Sequence, residues 1–290
     1  LIAVFPPGGS VDTVSRILAH QLTKQTGQQF LVDNKGGASG SIGTAFVAKS
    51  PADGYTFAVV FDTHGVNPSL IPNISYDTLK DLAPVMMIGT SPMVIARFHG
   101  AKFKDFREVI AAGKTKADAV SFGSIGSGSL GHLAMTQIAN LANTTFNHIP
   151  YKGGGQQLTD ALGGQFELLS TNVAPAQLAH VQAGHFKPLA VGAPHRLEVL
   201  PQVPTFAELG LPQANVTSLF GLFAPGGTPT QVLDRLNVEI NAAVQTPPLR
   251  ERLLASDNLP AQGDRASFAR RIAQEWHSNR QLKGANIKME

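Results

Sequence analysis

The stretch Val4-Phe5-Pro6-Pro7-Gly8-Gly9-Ser10-Val11-Asp12 decides how this chain folds, because it takes a strand through a glycine turn into a helix. Leu1 to Phe5 is an apolar run of strand length that Pro6-Pro7 ends, and Gly8-Gly9 lets the backbone approach a ligand without a Cβ in the way. Ser10 stands where a helix N-cap is expected, and Val14, Ile17, Leu18 and Leu22 then recur at helical spacing. Such a helix turns its unpaired first-turn amides and the positive end of its dipole toward the glycines. A small anion is favoured there.

The same device recurs in mid-chain. Val120-Ser121-Phe122-Gly123 reads as a strand end and Ser124-Ile125-Gly126-Ser127-Gly128-Ser129 as a serine-glycine turn. Leu130, Leu133, Ala134, Ile138 and Leu141 form the apolar stripe of the helix that follows. Two helix N-termini converging on one anion across a cleft make an economical binding site, and neither half contains an obvious catalytic group.

Around these turns, strand-like runs (Phe30 to Val32, Tyr55 to Phe61, Pro84 to Ile88, Met93 to Ala96, Phe166 to Leu169, Pro188 to Val191, Leu219 to Ala224) alternate with helical ones. The helical runs are Phe106 to Ala112, Gln156 to Leu162, Ala174 to Ala183, Val232 to Val244 and Ser267 to Gln281. The alternation predicts an α/β fold with mostly parallel sheet. At 290 residues two lobes are expected: residues 1–97 with 221–290, and residues 98–220, with hinge crossings near 97–100 and 218–221. Two crossings make a hinge, so closure of the lobes is expected on ligand binding.

Composition narrows the function classes. With 43% hydrophobic and 15% charged residues the chain is ordinary globular material, and no apolar run approaches the roughly 20 residues a membrane helix needs. The net charge of +3 is scattered, which gives nucleic-acid binding little support. The absence of cysteine excludes thiol catalysis, disulfides and thiolate metal sites. The chain opens directly on a core strand, which fits an exported protein whose leader has been removed.

Enzyme motifs fail on inspection. Gly126-Ser127-Gly128-Ser129-Leu130-Gly131 satisfies G-x-G-x-x-G, but about 20 residues on, where an acid should meet a ribose, the chain reads His148-Ile149-Pro150-Tyr151-Lys152. Gly113-Lys114-Thr115 lacks the upstream glycine of a P-loop, and neither a G-x-S-x-G elbow nor an H-E-x-x-H pair occurs. No cofactor, metal or catalytic residue is expected. His180 and His185 are five apart and so off a common helical face, while His132, inside the apolar side of its helix, reads as a hydrogen-bonded interior residue. Thr63 and His64 follow a buried strand; either they face a ligand, or Asp62 caps the next turn and His64 is solvated. Thr171 and Asn172 occupy the equivalent place in the other lobe. Asp12 and Asp160 read as structural carboxylates, since a charge inside an anion site opposes the ligand.

Phe5-Pro6-Pro7-Gly8-Gly9, Asp33-Asn34-Lys35-Gly36-Gly37-Ala38, Gly40-Ser41-Ile42-Gly43, Val47 to Thr56 and Asn67-Pro68 resemble, in order, the tripartite tricarboxylate transporter receptor family, the Bug proteins. Gly126 to Ser129 with His132-Leu133, His148 to Gly155, Gly163-Gly164-Gln165, Val203 to Glu208 and Ala224 to Pro229 extend the resemblance over nearly the whole chain. It implies a periplasmic binding protein of two α/β lobes, type II-like, that captures a small organic carboxylate in a cleft and delivers it to integral membrane transporter subunits. A monomer is expected, and a receptor feeding a signalling partner is the alternative. Carried onto matching positions, the resemblance nominates Gly8, Gly9 and Ser10 from one lobe and Ser124, Ser127, Gly128 and Ser129 from the other. The family often has serine or alanine where Asp62 and Thr63 stand and a tryptophan near Phe220, whereas the one tryptophan here is Trp276.

No Arg or Lys is expected beside either turn, so neutral donors and helix dipoles would meet the ligand's charge, which suits a compact carboxylate. Phe5, with Phe61 or Phe122, could pack against a ring or chain. That favours an aromatic mono- or dicarboxylate such as terephthalate, with an aliphatic dicarboxylate next.

Overall fold

The structure is a computed structural model and describes residues 1–115 and 119–279. In chain order the elements are β1 (Ile2–Ala3), α1 (Ser10–Thr26), β2 (Asp33–Asn34), α2 (Ser41–Ala48), β3 (Ala58–Val60), α3 (Asn67–Leu70) and β4 (Leu82–Phe98). They continue with α4 (Phe106–Thr115), β5 (Ser121–Ser124), α5 (Leu130–Ala142), β6 (Asn147–Pro150), α6 (Gly154–Leu162), β7 (Leu168–Asn172), α7 (Pro175–Gln182) and β8 (Phe186–Gly192). Then come β9 (Thr217–Pro225), α8 (Thr230–Ala243), α9 (Pro247–Leu254), β10 (Leu259–Pro260) and α10 (Arg265–Asn279). Residues 280 and 281, expected to extend the last helix, lie outside the described residues, as does the remainder to 290.

The chain forms two compact units. Unit 1 comprises Leu1–Thr90, Leu219–Leu254 and the described part of Leu259–Glu290; unit 2 comprises Ser91–Ser218 and Ala255–Asn258. The fold is mixed α/β.

In unit 1, β1 pairs in parallel with β2 on one side and β3 on the other, and β9 runs antiparallel to β3. Helix α1 covers this sheet with Val11, Val14, Leu18 and Leu22, all buried. Each such side chain contributes about 1.5–3 kcal/mol of apolar burial. Gly27 ends the helix in the left-handed region at φ 72°, its amide returning to the Thr23 carbonyl at 3.1 Å.

In unit 2, β5 lies in parallel between β6 and β7, and β4 runs antiparallel to both β7 and β8. Along β4, Met93 and Ile95 enter one core with Phe106, Phe122, Met135 and Ile138, while Val94 and Ala96 enter the other with Phe166, Leu178 and Val203. A strand covered on both faces reads as a continuous apolar run, which is why 93–96 carries no alternation.

Two strand expectations are corrected. Residues 30–32 are not a ladder: pairing is confined to Asp33–Asn34, and Leu31 is exposed. The two runs 84–88 and 93–96 are a single 17-residue strand. Gly89 within it allows a close backbone approach, since a Cβ there would stand 2.6 Å from the Leu259 carbonyl oxygen of the antiparallel β10. Strand β6 and helix α2 were unexpected, the latter hidden by the glycines around Ser41.

Candidate ligand site

The first loop is organised by Asp12. Gly8, at φ +85°, donates its amide to Oδ2 of Asp12 at 3.0 Å. Oδ1 accepts from Nε of Arg16 at 2.9 Å and from Nδ2 of Asn34 at 2.9 Å. Asn34 also donates to the Phe5 carbonyl at 3.0 Å and accepts from Arg16 at 3.0 Å, so β2 holds both ends of the loop. Burial pushes the Asp12 carboxyl up, but the hydrogen bonds from Arg16, Gly8 and Asn34 outweigh it and leave the group below its ordinary value.

Two expectations change here. Ser10 is not the N-cap: it is the first residue of α1, Gly9 holds the cap position, and no side chain caps the helix. A cation does stand beside the loop, since Arg16 reaches it, but its charge is met by Asp12. Pro7 and Gly8 are exposed, and Gly9 and Ser10 half-buried. The first-turn amides have no carbonyl of their own helix to bond.

Phe5 is buried and meets Phe61 edge-on at 6.4 Å, and Phe61 stacks on Phe220 at 4.6 Å. These rings face one another in the core of unit 1. The turn after β3, Asp62–Gly65, buries Thr63 and His64 at 1% and 2% exposure, which overturns the solvated reading of His64. The His64 ring lies 4.4 Å from that of Phe223, and burial lowers its pKa to about 4. Among the described residues, Oγ1 of Thr63, both ring nitrogens of His64 and Oδ1 of Asn67 have no hydrogen-bond partner.

The second loop is organised by histidine. Gly126 and Gly128 adopt φ +133° and +77°, conformations that glycine alone takes at little cost. Gly128 donates its amide to Nδ1 of His132 at 3.0 Å. Ser129 caps α5, its hydroxyl accepting from the His132 amide at 3.4 Å. Ser124 is fully buried, with Oγ 2.7 Å from Nε2 of His148 and 3.0 Å from the Gly126 carbonyl. The two imidazoles stack at 3.8 Å and 10°, and Phe122 packs against both, 4.9 Å from His148 and 6.4 Å from His132. Ser127 and Gly128 are buried.

At the end of β7, Thr171 and Asn172 are buried, and Asn172 donates to the Ser218 hydroxyl at 2.8 Å. Gln157, absent from the expected site, is fully buried and donates to the carbonyls of Gly123 at 2.8 Å and Ser170 at 3.0 Å, tying β5 to β7 directly below the loop. His180 and His185, expected to lie off a common helical face, do not share a helix, and they meet at 2.9 Å because the chain leaves α7 between them.

Unit 1 therefore gathers Phe5, Gly8, Gly9 and Ser10 at one strand end, with Thr63 and His64 after β3. Unit 2 gathers Ser124, Ser127, Gly128 and Ser129, with Thr171 and Asn172 after β7. Asn34, His148 and Gln157 were missed, since each acts through pairing that only the folded sheets create. The Ser124–His148 contact has the form of a nucleophile and base. Ser124 is inaccessible, however, and burial together with His132 lowers His148 to about 3, too weak a base for neutral pH. Among the described residues no cluster of three or more His, Cys, Asp or Glu could hold a metal, and no helix is long and apolar enough to cross a membrane.

Comparison with known proteins shows the family and the fold. BugT of Bordetella pertussis is 38% identical over 263 residues, covering 90% of this chain and 80% of that protein. A protein from R. palustris solved with adipate superimposes with a TM-score of 0.93 at 30% identity, over 100% of this chain and 97% of that one. MatC from Rhodopseudomonas palustris, solved with bound malate, superimposes with a TM-score of 0.90 at 27% identity, over 97% of each chain. The family model described as tripartite tricarboxylate transporter family receptor matches residues 14–286, and the chain belongs to that family of solute-binding receptors.

Proposed function

We propose that this protein is a periplasmic receptor, without catalytic activity of its own, that captures a small organic dicarboxylate and delivers it to the membrane subunits of a tripartite transporter. The observation that carries this reading is the repeated loop. A strand ends in a left-handed glycine whose amide is fixed by a side chain four residues on, and a helix begins with its first-turn amides directed at the loop. Gly8 to Ser10 and Ser124 to Ser129 are proposed to supply the donors. Neutral hydroxyls and amides suit a carboxylate, and the nearby cations Arg16 and Lys35 are already paired with Asp12 and Asp33.

An aliphatic dicarboxylate is favoured over an aromatic one. The preference for an aromatic ligand rested on Phe5, Phe61 and Phe122, but all three rings are buried in their own units, Phe61 stacked on Phe220 and Phe122 packed against His148. The relatives solved with adipate and malate support the same choice. Isothermal titration with adipate, malate and terephthalate tests it. Binding of an aliphatic acid, weakened about ten- to a hundredfold in Ser127→Ala by loss of a hydrogen bond to a charged group, is expected. Binding of terephthalate alone would reverse the ligand assignment, and no binding of any of the three would remove it.

A further inference from the structure

We infer that His132 and His148 act together as a positioning pair that holds the 124–129 loop in its ligand-competent shape without touching the ligand. The inference rests on the reading of that loop as a carboxylate site. Its geometry is specific. The loop makes four sharp demands: two left-handed glycines, a buried serine and a helix cap, all within six residues. Three of them are answered by one of the two rings or by the His132 backbone, and the fourth, Gly126, is held through Ser124, whose hydroxyl accepts the Gly126 amide at 3.2 Å. His132 Nδ1 takes the Gly128 amide at 3.0 Å, the His132 amide meets the Ser129 hydroxyl at 3.4 Å, and His148 Nε2 stands 2.7 Å from the Ser124 hydroxyl.

The hydrogen bond from Gly128 settles the chemistry of His132. An N–H donates to Nδ1, so Nδ1 carries no proton and Nε2 does, and the ring is neutral. The stack at 3.8 Å and 10° then holds the two rings face to face in parallel planes, with Phe122 packed beside them at 4.9 Å from His148 and 6.4 Å from His132. Moving either ring moves both ends of the loop. A carboxylate could supply the same acceptor, as Asp12 does for Gly8 in unit 1, but it would place a negative charge within the loop that receives an anion. Imidazole provides the acceptor without the charge.

The groups that face the rings are Phe122 from β5, Ser124 and Gly128 from the loop, and each ring for the other. Among the described residues, the one titratable group whose charge acts on His148 is His132, and burial is what acts on His132. Protonation of Nδ1 therefore removes the Gly128 acceptor with no neighbouring carboxylate to compensate.

Three substitutions at one position test the inference, with adipate and malate as probes in calorimetry and the Gly128 amide followed by NMR. His132→Asn can offer Oδ1 where Nδ1 was and is expected to bind within about threefold of wild type, with the Gly128 amide still shifted as a hydrogen-bonded donor and loss of affinity on acidification reduced. His132→Leu is expected to bind about tenfold more weakly and to lose the amide shift, the cost of one buried hydrogen bond. His132→Asp is expected to keep the amide shift and still bind more weakly than His132→Asn, because its charge opposes the ligand. Equal affinity in His132→Leu and wild type, or an unmoved Gly128 amide, would overturn the inference. If wild-type protein binds neither probe, the carboxylate reading fails, and the Gly128 amide in His132→Leu still decides whether the pair holds the loop.

Discussion

Gly8 donates its amide to the carboxylate of Asp12 at 3.0 Å, four residues on. Gly128 donates to the imidazole of His132 at the same spacing and the same distance. Both glycines are left-handed, and both acceptors sit in the first turn of the helix that follows. The two loops thus share one mechanical solution built from different chemistry. In unit 1 the acceptor is an anion, and Arg16 and Asn34 are present to satisfy it. In unit 2 it is a neutral ring, and its second partner is another ring.

The anionic version makes a direct prediction. Asp12→Ala leaves the Gly8 amide without its acceptor and Asn34 without one of its partners, and is expected to lower stability by about 1–3 kcal/mol. Asp12→Asn retains an acceptor and should cost less. Because the folded carboxyl lies below its ordinary value, its stabilising effect is present above pH 3.8 and is lost as pH falls below that. Urea titrations of wild type and Asp12→Asn should therefore converge on acidification; curves that stay parallel would exclude the arrangement.

A second prediction concerns three imidazoles, His64 and His132 buried and His148 half-buried. Folded-state pKa values of about 4 for His64, about 4 for His132 and about 3 for His148 lie below the unfolded value of 6.5. Between pH 6.5 and about 4 the unfolded chain takes up protons that the folded chain does not, so stability is full above 6.5 and falls as pH is lowered through that range. Each such histidine contributes a slope approaching about 1.4 kcal/mol per pH unit. His64→Leu should flatten the acid limb by roughly one such slope in urea titrations at pH 6 and pH 4.5. An unchanged limb would mean that His64 gains a proton, and a partner, in the folded protein.

The two loops were legible because their signals are local. Proline after an apolar run, paired glycines and a helical stripe lie within a dozen residues, and the interior role of His132 follows from its place among Leu130, Leu133 and Ala134. His148 was not legible as its partner. The ring reaches Ser124 across 24 positions because β5 and β6 pair in parallel register, with Phe122 opposite His148, and no short-range pattern encodes that register. Asn34 is similar: it reads as a turn residue before glycine, yet it joins the Phe5 carbonyl to Asp12 once β2 lies beside β1. The runs 84–88 and 93–96 read as two strands for the opposite reason, because Gly89 between them has no apolar side chain to continue the pattern. The glycine answers a close backbone approach from β10, a contact with a segment 170 positions later in the chain.

Gly131 makes the packing beneath the second loop testable. An added Cβ there would stand 2.7 Å from the Ser170 carbonyl oxygen and 2.9 Å from its hydroxyl, and the same hydroxyl donates to the Gly131 carbonyl at 2.9 Å. Neither a β-strand carbonyl nor the start of α5 can withdraw without breaking its own hydrogen bonds. Gly131→Ala is therefore expected to lose about 1–3 kcal/mol by overpacking, read from thermal or urea unfolding. Wild-type stability would show that α5 shifts freely on β7.

Gln157 supplies the last prediction, because it supports the loop from below without belonging to it. Its amide nitrogen bridges the carbonyls of Gly123 and Ser170, one on β5 and one on β7, at a fully buried position where ladder pairing between the two strands is confined to Phe122–Leu168 and Gly123–Leu169. Gln157→Leu keeps the volume and removes both donors, leaving two carbonyls unsatisfied, at an expected cost of about 2–4 kcal/mol from the loss of two buried hydrogen bonds. Gln157→Glu should be worse at neutral pH, since a buried carboxylate would face two carbonyl oxygens, and should recover toward the Gln157→Leu value as acid protonates it. Equal stability of the three proteins at pH 7 would mean that β5 and β7 hold together through their ladder alone, and that the serine-glycine loop stands on backbone pairing with no side-chain bridge beneath it.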